Sequence, residues 1–129
     1  MKQPPEFTTR LNLKLEELSR TWNAGIVDLL RQANKSRLKG KGKVTPQPLI
    51  ERNNLRWSLE WKEGKISFDL NVVVNVEDDG KQAQVSRVWV HRHASSSLDF
   101  EGHTPTTRMR RLTGLSLEEI QQAVEAELK

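Results

Sequence analysis

Cysteine is absent from the 129-residue chain. That single absence excludes disulfides, thiolate zinc sites and thiol nucleophiles, and it makes a reducing compartment, the cytoplasm, the expected location. Long apolar runs are missing too: nothing approaches the ~18 residues of a membrane-spanning helix, so no membrane partner is expected. The opening stretch MKQPPEFTTR is polar and broken by proline, without the apolar centre of a secretory signal. Acidic residues are missing over two stretches, and these gaps are the most informative. From Leu29 to Ile50 no Asp or Glu faces Arg31, Lys35, Arg37, Lys39, Lys41 and Lys43. From Gly102 to Leu117 the acids are missing again, and Arg108, Arg110 and Arg111 stand together. The net charge is only +4, so its sorting along the chain matters more than its sum. Basic segments of this kind suit a polyanionic partner; the plainer alternative is a solvated surface.

The length fits one domain over 1–129, able to withdraw roughly 65–70% of its unfolded surface from water. Leu11, Leu15, Leu18, Trp22, Ile26, Leu29 and Ala33 recur at steps of three and four, which predicts a long amphipathic helix. Asn12 is its expected cap and Asn34 its expected end. Gly25 lies mid-helix beside Ala24, where either simple tolerance or the close approach of another backbone explains it.

The middle of the chain reads as strands. Leu55, Trp57, Leu59 and Trp61 alternate with polar residues, and Ile66, Phe68, Leu70, Val72, Val74 and Val76 face one way, with Val73 an apolar residue on the back. A two-residue turn at Glu63-Gly64 would set Trp61 opposite Ile66 and Leu59 opposite Phe68, with both strands burying one face. A second turn at EDDGK leads into QAQVSRVWVHRH. There Ala83 and Val85 continue the buried face, but Arg87 would follow on it. Either a bulge near Ser86 switches the parity and sends Val88 and Val90 inward, or the sheet is apolar on both faces. Beyond lie a loop at ASSS, a short edge strand at LDFEG, and HTPTTRMRRLTG, which suits strand or loop equally. Ser116 and Glu119 then open a C-terminal helix as a capping box, with Leu117, Ile120, Val124 and Leu128 along its apolar face.

The expected fold class is therefore α+β: a long N-terminal amphipathic helix, an antiparallel β-meander of three to four strands, and a C-terminal helix. Its order resembles that of the double-stranded-RNA-binding domain. The last helix nevertheless opens with LSLEEIQQ, acidic and apolar, where that family places a basic phosphate-binding cluster, and no membership is assigned.

Three groups of residues invite a chemical reading. The first is the segment from Asn34 to Asn53, expected to lack regular structure, with a flexible basic loop at about 35–48. Its Lys-Gly-Lys-Gly-Lys core suits a phosphate chain, or it is a solvated connection. The second is His91, His93 and His103 near Asp99 and Glu101, weak candidates for a divalent metal; the same residues also suit a solvated strand end. The third is the tryptophans. Trp22, Trp57 and Trp61 fit the core. Trp89 is core in an unbroken strand, but a bulge turns it outward between Arg87, His91 and His93, as a stacking surface. Ser95, Ser96 and Ser97 lack a nucleophile elbow, and Asp78 and Asp79 suit a turn, so no catalytic residue and no cofactor is expected.

The first functional expectation is a small basic non-enzymatic module that binds nucleic acid or an acidic protein surface. Arg31, Lys35, Arg37, Lys39, Lys41, Lys43, Arg108, Arg110, Arg111, Arg92 and Trp89 would carry that binding. The alternative is a protein–protein adaptor or a homo-oligomer formed through the N-terminal helix or a sheet face. A metal-dependent enzyme at the histidines comes third.

Overall fold

A computed structural model describes residues 5–96 and 106–128, with side chains from 9 to 94 and from 109 to 128. The elements follow as α1 (Pro5–Arg37), β1 (Lys43–Val44), β2 (Leu49–Glu51), β3 (Asn54–Glu63), β4 (Ile66–Asp78), β5 (Ala83–Ser96), β6 (Thr106–Arg111) and α2 (Leu117–Glu127). The fold is α+β, as the sequence predicts. The described strands form one antiparallel sheet in the order β1-β3-β4-β5-β6, with β2 also paired to β3. Both helices pack on one side of it. Among the described residues, no helix is long and apolar enough to cross a membrane.

The helix stripe does what its spacing implies. Leu15, Leu18, Ile26 and Ala33 are buried, with Leu11, Trp22 and Leu29 packed beside them, and Val27 and Leu30 join the same core. The helix starts earlier than the Asn12 cap, at Pro5, where a residue without an N–H loses nothing in the first turn. It also runs past Asn34. That side chain instead clasps Gly42, donating from Nδ2 to the Gly42 carbonyl at 3.1 Å and accepting the Gly42 N–H at 2.7 Å. Lys39 and Gly40 make the turn between them with φ of 54° and 79°. The segment expected to be patternless thus holds a last helical turn and two short strands. Pro46 and Pro48 interrupt what would otherwise be one edge strand along β3, since neither can donate to a ladder.

Gly42 is the tight point of this connection. A Cβ there would lie 2.7 Å from Asn34 Oδ1, 2.8 Å from Leu59 Cδ1 and 3.2 Å from the Glu60 carbonyl. Gly42→Ala is therefore expected to cost about 1–3 kcal/mol through forced displacement. Urea unfolding reads this directly, against an exposed neighbour, Lys41→Ala, expected to stay within about 0.5 kcal/mol.

The β3–β4 hairpin buries the expected face, with a register two residues from the expected one. Glu63 pairs with Ile66, so Trp61 meets Phe68, Leu59 meets Leu70, Trp57 meets Val72 and Leu55 meets Val74. Gly64 and Lys65 form the turn, with φ +62° at Gly64, where a two-residue hairpin loop with glycine first needs it. A shift of two preserves parity, and so the buried face is unchanged. The bulge is real: Asn75 pairs with Arg87 but Val76 with Val85, leaving Ser86 extra. Val88 and Val90 consequently point into the core, both at 1% exposure or less. Ala94, Ser95 and Ser96 correct the expected loop, because β5 continues through Ser96; Ser97 lies outside the described residues. HTPTTRMRRLTG resolves in part into β6. The LDFEG strand lies outside the described residues.

Hydrogen bonds tie α1 to the sheet, and a close contact joins the two helices. Trp57, fully buried, donates its indole N–H to Asn23 Oδ1 of α1 at 2.9 Å. Gly25 leaves room for the Leu117 side chain of α2, whose Cδ1 would stand 2.9 Å from a Cβ at that position. The close neighbour is thus a side chain and not a backbone. Ser116 caps α2 through its side chain, while the Glu119 carboxylate turns to Thr113 Oγ1 and the Gly114 N–H. At the far hairpin, Arg10 donates to both oxygens of Asp78 at 2.7 and 3.0 Å. These hydrogen bonds hold the Asp78 carboxyl below its ordinary value. A carboxyl depressed on folding stabilises above the ordinary carboxylate range, and the contribution is lost as pH falls through the folded-state value.

Candidate functional site

Partners in an antiparallel ladder share a face, so the registers sort every strand residue. The helix side holds Trp57–Val72–Val90 and its neighbours. The opposite side carries one row that runs Leu49–Arg56–Val73–Trp89–Arg111 across five strands. Beside it lie Asn54–Asn75–Arg87 on one flank and Ser58–Asn71–His91–Met109 on the other. Among the described residues no helix packs on this second face.

The bulge builds the centre of that face. By switching parity at Ser86 it sends Trp89 away from the core, half-buried, between Arg87 and His91 on its own strand and Val73 and Arg111 on the adjoining ones. Glu51, Arg56, Val73, Arg87, Trp89, His91, Met109 and Arg111 line an open hollow of about 440 Å³, a volume in the range of small-ligand sites. Its floor is closed by Val73, 7% exposed, and Met109 stands 64% exposed at the rim. Three guanidinium groups stand against one carboxylate. That carboxylate, Glu51, pairs with Arg56 at 3.3 Å, both side chains about half exposed, so the pair is a weak and displaceable one. The Arg56 Nε is buried and has no hydrogen-bond partner among the described residues. A second hollow, of about 530 Å³, lies toward the β3–β4 turn among Lys41, Lys43, Lys62, Glu60 and Asp69.

The candidate basic residues do not form one cluster. Arg111 belongs to the Trp89 patch. Lys43 pairs with Glu60 and shares that face from the opposite edge, four strand steps across and four residues along from Arg111, about 23 Å away. Arg31 and Lys35 are exposed on α1, on the other side of the sheet, and Lys39 and Lys41 are exposed in the turn after it. Two of the cations are engaged by α2: Arg37 meets Glu125 at 2.8 Å and Arg110 meets Glu127 at 3.3 Å. Arg92 is on the helix side, its guanidinium 5.1 Å from the Phe68 ring centroid, and Phe68 in turn stacks on Trp61. Arg108 pairs with Arg92 in the β5–β6 ladder. Arg56 is the participant that the chain order conceals, since it reads as the solvent side of an ordinary strand until four strands are set in register.

His91 and His93 follow each other along β5 with ring centroids 6.3 Å apart, and His103 lies outside the described residues. Among the described residues no three His, Asp or Glu side chains come together as a metal site. No family model, curated protein sequence or solved structure matches the chain.

Proposed function

We propose that this protein is a non-enzymatic binding module that engages nucleic acid through the helix-free face of its sheet. One observation carries the reading: Arg56, Arg87 and Arg111, from three different strands, surround a half-buried Trp89 on a face no described helix covers. Three guanidinium groups against the Glu51 carboxylate around the hollow favour a polyanion, and phosphate contacts supply most of non-specific affinity. Lys43 adds a fourth cation at the far edge of the same face, beside Glu60 and Asp69. The Lys/Gly segment thus contributes through the strand it forms, and the rest of its lysines add only general positive charge.

The reading has a direct thermodynamic signature. If these four cations each neutralise one phosphate, log K falls against log salt with a slope of about −2.8 on a single strand and about −3.6 on duplex. Fluorescence anisotropy of labelled oligonucleotides between low and moderate salt measures it. Absence of salt-sensitive binding would remove the proposal.

A second reading, a protein–protein contact on the same face, draws on Leu49 and Met109, which are 49% and 64% exposed on the face that carries Trp89. A homo-oligomer formed there would appear in sedimentation velocity as a concentration-dependent dimer that Met109→Lys dissolves.

A further inference from the structure

Resting on that reading, we infer that the ligand is single-stranded nucleic acid, with one unpaired base stacked on Trp89 while Arg111 and Arg56 hold phosphates on either side of it. The arrangement of the face favours a single strand over a duplex. Sequence readers of B-form DNA insert a helix or a two-stranded ribbon into the major groove. Here both helices lie on the far side of the sheet, and the helix-free face is a strand surface with Val73 and Trp89 at its centre. In a duplex the base faces are stacked on one another, and a ring set in a hollow cannot reach them. An unpaired base can lie flat on an aromatic ring, and it needs no particular sequence to do so.

The spacing agrees. Arg111 is one strand step from Trp89, about 4.8 Å, and Arg56 is two steps away on the other side, about 10 Å. The cations therefore flank the ring along a line across the strands, and Arg87 adds a third contact two residues along β5. The hollow of about 440 Å³ is open to solvent. Glu51 occupies Arg56 in the free protein, and a phosphate must take its place.

Fluorescein-labelled 12-mers of mixed sequence, as single-stranded DNA, single-stranded RNA and the DNA duplex, test the inference on the full chain. Either single strand should bind at least about tenfold tighter than the duplex. Trp89→Ala should weaken single-strand binding about 10- to 100-fold at an unchanged salt slope, because a stacking contact is lost and the phosphate contacts remain. Trp89→Phe should recover most of the affinity, which a merely structural role for the indole would not predict. Unfolding midpoints of the two variants establish that both are folded. Duplex binding as tight as either single strand, or Ala and Phe variants that behave alike, would overturn the single-strand inference and leave polyanion binding standing. No salt-sensitive binding to any of the three probes would end both.

Discussion

Exchanging Arg56, Arg87 and Arg111 together for glutamine lowers nucleic-acid affinity by about 100-fold near 0.1 M salt. The magnitude follows from counterion release: on a single strand each phosphate contact is worth roughly fivefold at that ionic strength, and three are lost at once. The fold should not suffer. All three side chains point to the helix-free face, and the Arg56–Glu51 ion pair is a solvent-exposed one worth about 0–1 kcal/mol. Anisotropy titrations against an unchanged urea midpoint isolate the effect. Glu51→Gln moves the other way, raising affinity several-fold, because it releases Arg56 from the Glu51 carboxylate. A 100-fold loss from Arg31, Lys35 and Lys39 instead would put the binding surface on the helix side.

Replacing Trp57 by alanine is expected to cost about 3–5 kcal/mol, the range for removing a large buried aromatic. Trp57 is fully buried in mid-sheet, between Leu55 and Leu59 along β3 and opposite Val72, and it holds the sheet to α1 through Asn23. A domain of this size has about 5–15 kcal/mol in total, so the variant is close to unfolding at physiological temperature. Denaturant unfolding measures the loss. Trp57→Phe keeps most of the buried surface but leaves Asn23 Oδ1 without the indole donor, so a smaller loss is expected there. Equal losses from both variants would assign the effect to the hydrogen bond and not to packing.

Local periodicity made the helices and the central hairpin legible. The alternation in β3 and β4 identifies the buried face, because parity survives any even shift; it does not identify the register, since Gly64 fits either of two turn positions. The bulge left a local mark as well. Arg87 fell on the buried parity, and the extra Ser86 removes it to the other face. β6 and the two short edge strands left none. Thr-Thr-Arg-Met-Arg-Arg has no apolar period, and it becomes a strand because β5 supplies the partner groups. The binding face follows the same division. Trp89 was visible as a conditional candidate, dependent on the bulge. Arg56 and Arg111 are 55 positions apart in the chain, and only the register of four strands puts them in one row with Val73 and Trp89.

Backbone and indole amide shifts in a heteronuclear NMR titration with an unlabelled single-stranded 12-mer test the central claim most directly. The predicted result is a contiguous set of perturbed residues on the helix-free face, centred on Arg56, Val73, Trp89 and Arg111. The Trp89 indole N–H should move most of the four tryptophans, and the buried Trp57 indole should stay still. Perturbations confined to α1, α2 and the turn from Leu38 to Gly42 would contradict the account, as would a titration that moves no resonance at low salt.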